Sequence, residues 1–506
     1  MALAYRQPGV TIDESVTPQI SPLLAAPALV ALVGPTQGYI TRTDQFFFGG
    51  SASAVALPGL PAGATLTAVT SVKDFLDPSL GAADGSGYVE TTNYTVQLGN
   101  GTITPAGSLV TTGRTVNVTY RYVPVDYFSP IRLYDLGSVE SRFGSALDST
   151  GTTINSHLSY AASIAFENGV DSVVCQPLFY RGTPGDPSSS QSAATSSQWA
   201  TSTTWSDTLY VLRDIEDINV IIPVVGQSMT NISDAALNTI FGVVQDHLYF
   251  MQNQDQYIIA ILGEDSSTDS TKATKSTIQT HAANLRGRYG GLLSEQTVLL
   301  APAKYKRSLP GFGSTIFIGG QYAAAAIAGM LASRPVSSSL TRKAVGGFLE
   351  VSDSRDLNEK NADAAAGLLV IENKRGTVIV RHAITIDQTN SAKRELSVVR
   401  SKHRMIESVR DTLDTQIIGN ILADGNAEGT VKATVIGVLE QLRQQRDLVD
   451  YSGVQARLIT LEPTTMQVRF SYRPSFPLNY IDVVFSIDMS NGTIISTPSN
   501  PVLAGS

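Results

Sequence analysis

Leu29-Val30-Ala31-Leu32-Val33-Gly34, closed by Pro35, is an apolar run without a charge that stops at a turn pair. A short run that does not alternate suits a strand buried on both faces of a sheet. Reading toward the C-terminus, helical and strand signals alternate. A helix is expected around Ser138 to Phe143, ending at Gly144, and another from about Asn155 to Asn168, ending at Gly169 and leading into Val173-Val174. The rhythm continues through a helix over Asp207 to Ile218, a strand at Val220-Ile221-Ile222-Pro223, a helix from Ala235 to Met251 and a strand from Tyr257 to Leu262. Residues 29–45 and 128–335 are therefore expected to form one α/β core. Its last helix, Gln321 to Ser333, is crowded with small residues (Ala323 to Ala326, Ala328, Gly329), which should let neighbouring backbones approach closely.

Between these two stretches the texture changes. Residues 46–127 are rich in Gly, Thr, Ser and Pro, with short alternating runs such as Tyr94 to Leu98 and Val116 to Tyr122. This predicts an all-β module inserted into the core. Residues 182–206 and Glu264 to Thr277 read as polar surface loops.

A third region, 336–490, is expected to be α+β. Gly367 to Ile371 and Thr377 to Ile386 read as strands around Lys374-Arg375-Gly376. Leu396, Val399, Ile406, Val409, Leu413 and Ile417 recur at three- and four-residue steps and make one apolar helix face, with Arg400, Arg404, Glu407 and Asp411 largely off it. A second helix is expected over Val431 to Leu448, then strands at Met466 to Tyr472 and Tyr480 to Phe485. A short strand at Thr493-Ile494-Ile495 follows Asn491-Gly492.

Both ends are arms, 1–28 and 491–506. Gly9-Val10-Thr11-Ile12-Asp13-Glu14 is an extended strand directly after Pro8, and prolines at 18, 22 and 27 stop it from folding back. It must pair with something distant or with another molecule. Strand exchange between subunits would use Val10 and Ile12 at one end and Val468, Phe470, Val483 and Ile494 at the other, since backbone hydrogen bonds supply affinity and alternate side chains fix register. Packing of the arms on their own subunit is the open alternative. The fold class expected is thus α+β and multidomain: an α/β core, an inserted β module, and a C-terminal α+β domain with exchanged terminal strands.

Composition narrows function further. Charged residues are 16% of the 506, against about 25% in a typical soluble domain, which suits a chain meant to associate. The net charge of -8 argues against a general nucleic-acid binder. It is uneven, because six cations (Lys393, Arg394, Arg400, Lys402, Arg404, Arg410) against Glu395 and Glu407 give 6 - 2 = +4 between residues 393 and 410. No run approaches the roughly 20 apolar residues of a membrane span, and the first residues lack a signal-peptide pattern. The single cysteine, Cys175, lies in an apparent buried strand and is expected to be an inert core thiol. No phosphate loop, His-Glu-x-x-His, EF-hand loop or Gly-x-Ser-x-Gly occurs. The five histidines are scattered, and His403, on the apolar seam of the long helix, is expected to be a core or interface histidine. No catalytic, cofactor-binding or metal-binding residues are assigned.

Several short motifs, in order, carry a resemblance. Pro8 to Glu14 is similar to an N-terminal Pro-Gly-Val strand ending in acids, and Val33 to Gly38 to the Val-Gly-x-Ala/Thr-x-x-Gly turn that follows it. Arg142-Phe143-Gly144 closes a short helix on Phe-Gly. Leu158 to Ala161 with Phe166 to Gly169 matches a Leu-x-Tyr-Ala helix closing on Phe-x-Asn-Gly, and Ala328-Gly329-Met330 with Arg334-Pro335 and Leu340 to Lys343 a later Val-Ala-Gly helix and its connection. Together they resemble the contractile tail sheath family of myophages, related to the sheaths of R-type pyocins and type VI secretion systems. Leu340 to Phe348 departs from that family's Arg-Gly-Val-x-Lys-Ala-Pro stretch. The resemblance implies a virion-tail structural subunit, assembled in the host cytoplasm as stacked hexameric rings around a tail tube, with C-terminal domains inside and insertions outside. It also implies tail tube, baseplate and tail terminator proteins as partners, no enzymatic step, and contraction from a metastable packing. On that architecture Arg400, Lys402 and Arg404 are candidates to face the tube. The rival classes are an α/β enzyme with a β accessory module and a non-contractile surface or adhesin subunit.

Overall fold

The computed structural model describes residues 28–48, 52–76, 88, 92–106, 114–151, 153–226, 229, 232–265, 272–309, 315–351, 355–420, 426–459, 462–479, 486–487 and 494–495. The opening apolar run is strand β1 (Leu29–Gly34), buried at every position. After it come β2 (Ile40–Phe48), β3 (Val55–Ala56), β4 (Thr65–Asp74), β5 (Tyr94–Gln97), β6 (Thr102–Pro105) and β7 (Arg114–Val123). They form two three-stranded antiparallel sheets, β2-β7-β4 and β3-β6-β5, around a core of their own that includes Phe48, Leu66, Val72, Ile103, Val116, Val118 and Tyr120. The module's sheet begins at Ile40, earlier than the change of texture at Phe46, and Ile40 pairs with Tyr122 near the other end.

The chain then builds the main layer with β8 (Ile131–Leu133), α1 (Leu136–Phe143), α2 (His157–Glu167) and β9 (Val173–Pro177). A small hairpin, β10 (Phe179–Arg181) and β11 (Gln191–Ala193), precedes α3 (Ser202–Tyr210), β12 (Ile218–Pro223), α4 (Asp234–Gln252), β13 (Ile259–Gly263), α5 (Lys272–Gly287) and β14 (Thr297–Ala301). Next are β15 (Lys304–Ser308), β16 (Thr315–Gly319), α6 (Gly320–Ala332), β17 (Phe348–Val351), α7 (Leu357–Ala365), β18 (Leu368–Lys374) and β19 (Thr377–Val380). Eight strands join in the order β19-β18-β14-β13-β12-β1-β9-β8. The six central strands are parallel and the two edge strands antiparallel. One consequence corrects the expected boundary at residue 335: β18 pairs with β14, so the segment beyond it supplies two strands to the core sheet.

The two faces of this sheet explain why β1 is apolar throughout. Val30 and Leu32 point into a cluster with α2 and α6, whereas Leu29, Ala31 and Val33 point into a second cluster with α3, α4 and α5. A strand covered by helices on both sides cannot alternate. Cys175, on β9, is fully buried and its thiol is pushed up by burial, in keeping with an inert core position. Helix starts are set by side chains: Asp135, Ser156 and Ser233 accept the Ser138, Ser159 and Ala236 amides, and Asp356 with Glu359 forms a capping box on α7. Every residue of α6 is buried, and a Cβ at Gly329 would lie 2.5 Å from the Ala165 carbonyl oxygen of α2. The small residues do allow the close helix contact that the sequence suggests.

The chain ends in α8 (Ser391–Arg394), α9 (Leu396–Gln416), α10 (Ala427–Gln444), β20 (Leu448–Ile459), β21 (Glu462–Pro474), β22 (Ser486–Ile487) and β23 (Ile494–Ile495).

Candidate assembly surface

Helices α9 and α10 lie on one face of a two-stranded ribbon, β20 against β21. Its core is Met405 of α9, Val431, Val435, Val438, Leu439 and Leu442 of α10, and Leu448, Val454 and Ala456 of β20. The half-buried Met466, Val468, Phe470 and Tyr472 of β21 complete it. Alternation fixes the other face: Asp450, Ser452, Gln455 and Arg457 stand opposite Arg473, Ser471, Arg469 and Gln467, all exposed. Three arginines with one aspartate make that face basic. Among the described residues β20 and β21 pair only with each other, so the ribbon offers both long edges for a further strand. A two-stranded sheet with free edges is a template for strand addition.

Val468 and Phe470 thus face their own subunit's helices, and a docking strand would meet the ribbon at an edge. Ile494 lies in β23, opposite Ile487 of β22. Val10, Ile12 and Val483 lie outside the described residues. Strand β20 was not legible as such, since the expected helix ran to Leu448 whereas α10 stops at Gln444. The signal was there in Tyr451, Val454, Ala456 and Leu458, but Gly453, at φ 67°, breaks its period.

The three candidate tube-facing cations are not equivalent. The expected exposure of Arg400 is corrected: it is 6% exposed, because α9 packs on the main sheet as well as on the ribbon, and its Nη2 donates to the Leu331 carbonyl at 2.8 Å. Lys402 pairs with Glu295. Arg404 is half-buried and lines a cleft of about 950 Å³ between α9, the lower ends of β1, β12 and β13, and the connection after α6.

Arg334, Arg400, His403 and Glu407 line this cleft, and Asp447, immediately before β20, closes one wall. Burial lowers Arg400 to about 10, still charged at neutral pH, and His403 to about 3, so the imidazole is neutral. His403 lies against Tyr257, ring centroids 5.2 Å apart. Burial outweighs the neighbouring Arg404 and lifts Glu407 to about 7. Asp447 is raised by burial, while Ser337, Arg404 and Arg400 pull it back. Among the described residues, Arg400 Nη1, Arg334 Nη1 and His403 Nε2 are buried and find no hydrogen-bond partner.

Doubly wound sheets bind small ligands at the carboxyl ends of their strands. Here that crevice is filled by backbone. Gly320 at the start of α6 donates its N–H to the Glu264 and Ala303 carbonyls, and a Cβ on Gly263 would lie 2.0 Å from Gly320. The acids beside it are engaged structurally: His281, buried, bridges Glu264 and Asp234. Among the described residues no cluster of His, Cys, Asp and Glu could hold a metal ion, and no helix is long and apolar enough to cross a membrane.

No family model matches the chain. It is 28% identical over 421 residues to a tail sheath protein of Mycobacterium phage Bxz1, an alignment spanning 82% of this chain and 64% of that protein, so the match covers less than two thirds of the relative's length. In structure it resembles the helical sheath of the anti-feeding prophage in its contracted state, with a TM-score of 0.54 at 13% identity, over 96% of this chain and 100% of that one. A sheath tail protein from Desulfitobacterium hafniense matches at TM-score 0.46 and 9% identity over 69% of this chain and 93% of its own, too distant to carry weight. The resemblance read from short sequence motifs holds in sequence and in fold, and the fold is that of a sheath protein with mixed helices and strands.

Proposed function

We infer that this chain is the structural subunit of a contractile tail sheath. It polymerises as stacked hexameric rings around a tail tube and contracts to drive the tube through the host envelope. The observation that carries this reading is the sequence match to a tail sheath protein along 82% of the chain, on a fold shared with a contracted sheath over 96% of it. The work comes from the free-energy difference between two packings, so the subunit needs no catalytic step. An enzyme in the strand-end crevice is disfavoured by the first turn of α6, which fills it.

In this reading the N-terminal arm of one copy, through Val10 and Ile12, adds a strand to the C-terminal sheet of another. The free edges of the ribbon support it. The module over residues 40–123 lies outside and the α9, α10 and ribbon unit inside, toward the tube, with baseplate and terminator proteins at the ends of the polymer in the virion tail. The exposed arginines of the ribbon, Arg457, Arg469 and Arg473, are better placed than the buried Arg400 or the paired Lys402 to meet an acidic tube.

Negative-stain microscopy of the protein expressed alone tests the class: long striated tubes are expected, and a monomer that never polymerises refutes it. Deleting residues 1–20 should leave a folded subunit that makes no tubes. Reversing Arg457, Arg469 and Arg473 to Glu should weaken assembly on isolated tubes, most at low salt, while tube-free polymerisation persists.

A further inference from the structure

The cleft beside α9 contains an uncommon arrangement: a guanidinium that is nine-tenths buried, has no carboxylate within 4 Å among the described residues, and has an Nη1 with no acceptor. A buried donor left unpaired is costly unless something completes it, and Asp447, the acid whose charge Arg400 feels, stands beyond ion-pair distance. Arg334 Nη1 and His403 Nε2 line the same space and are likewise unpartnered. Three unpartnered nitrogens on side chains that line one cavity make a donor set for an oxyanion, and a guanidinium suits a carboxylate in particular.

Two features say which carboxylate. The rim carries the exposed acids Asp171, Glu216, Asp217 and Asp411, which repel a small free anion, whereas carboxylates carried on a strand that pairs elsewhere are delivered against that repulsion. The cavity, about 950 Å³, is also the size of a pocket for a short peptide rather than a small ion. Ala28, where residues 1–27 join the described chain, is itself part of the wall. Prolines at 18, 22 and 27 disfavour a helix and suit an extended segment that could be offered to another copy.

We propose that the cleft receives Asp13 and Glu14 of a second copy, with Arg400 as the principal acceptor of the carboxylate charge and Arg334 and His403 as supporting donors. The proposal rests on the reading of the arm as an inter-subunit strand and adds what that reading lacks. Backbone pairing at a ribbon edge accepts any extended segment in several registers, whereas a charged pair that must land on one buried arginine fixes a single register. The cleft lies at the right place, because Gln445 and Asp447 form its wall immediately before β20 begins at Leu448. A strand laid along β20 therefore ends at the cleft.

The test uses the full-length chain and the concentration at which half of it sediments as tubes. Asp13→Asn with Glu14→Gln alters no residue of the described fold and should raise that concentration about tenfold. Arg400→Met should raise it similarly, and the combined variant no further, since both remove one interaction. Arg400→Lys, which keeps the charge, controls for misfolding of the Met variant and should recover part of the loss. An unchanged concentration for the Asp13→Asn, Glu14→Gln variant, or losses that simply multiply in the combined variant, overturns the proposal. Val10→Asp with Ile12→Asp separates the two ideas: loss of tubes there with no effect of the acid variant removes the latch and leaves the strand, whereas normal tubes in both remove the arm reading itself.

Discussion

Gly329 and Gly429 both sit in helices, and the same substitution to alanine should move stability in opposite directions. In a helix interior, Gly→Ala gains about 0.8 to 1 kcal/mol from backbone entropy alone. At Gly429, exposed in α10, a new Cβ meets nothing within 4 Å, so Gly429→Ala should stabilise by up to about 1 kcal/mol. At Gly329 the new Cβ would lie 2.5 Å from the Ala165 carbonyl oxygen and 2.9 Å from Asn168 Cβ. The first of these is backbone and cannot rotate away. Helix α6, buried all round, must then slide off α2 and disturb the cluster beneath the main sheet. Overpacking of this kind costs about 1 to 3 kcal/mol, and because the atom met is backbone the upper part of that range applies, leaving Gly329→Ala destabilised by about 1 to 2 kcal/mol after the propensity gain. Urea midpoints at unchanged slope, measured on full-length protein below its polymerising concentration, give both values. If Gly329→Ala proves as stable as the parent, or both variants move the same way, the close helix contact does not decide the stability of this core.

His281 should make stability depend on pH. Burial alone would lower its pKa, but the hydrogen bond to and charge of Glu264, with the charge of Asp234, outweigh this and raise it above 6.5. The folded state then keeps a proton that the unfolded chain releases at about 6.5, so the contribution is full below that pH and is lost as pH rises through the higher folded value; urea titrations from pH 6 to 9 should show this decline in the parent, and His281→Gln should be less stable at pH 6 while keeping the part of the decline that belongs to Glu264, which burial also raises. Asp363, buried and paired with the equally buried Arg355 while accepting a hydrogen bond from Gln279, should cost about 3 to 5 kcal/mol as Asp363→Asn, because the buried guanidinium loses this carboxylate; a loss below 1 kcal/mol by urea denaturation would mean water already reaches the pair. Replacing residues 40–123 with a short Gly-Ser linker should leave the core folded and tubes thinner on the outside by microscopy, since Ile40 and Tyr122 are paired neighbours and the chain leaves where it entered; an insoluble product would make the module part of the core.

Legibility followed the strength of local constraint. Leu29 to Gly34 announced the central strand because both of its faces are apolar, and the small residues of 321–333 announced a helix contact because backbone proximity needs them. What failed was long-range. Nothing local in Leu368 to Lys374 distinguishes the edge of the core sheet from a separate sheet, and only pairing with β14 decides it. The end of α10 was missed because Val435, Val438, Leu439 and Leu442 give a helical stripe that runs into Leu448, a residue of the same cluster from the next strand. A single apolar stripe in the sequence leaves Arg400 off it, because the second buried face of α9 is created only by packing under the main sheet.

Helix α9 has two buried faces, and this is what links the candidate site to the fold. Ile406, Val409 and Leu413 pack with Met405 toward the ribbon cluster, while Leu396 and Val399 join the cluster under the main sheet. Arg400 and His403 occupy the gap between the two contacts, one turn apart, and Glu407 follows at the next turn. A polar seam on an otherwise wedged helix persists only if its groups are completed by something, and among the described residues Arg400 Nη1 and His403 Nε2 find no partner. Whatever completes them touches the helix that joins ribbon to core, so a neighbour's arm bound there would hold the inner unit and the core of one subunit in fixed relation.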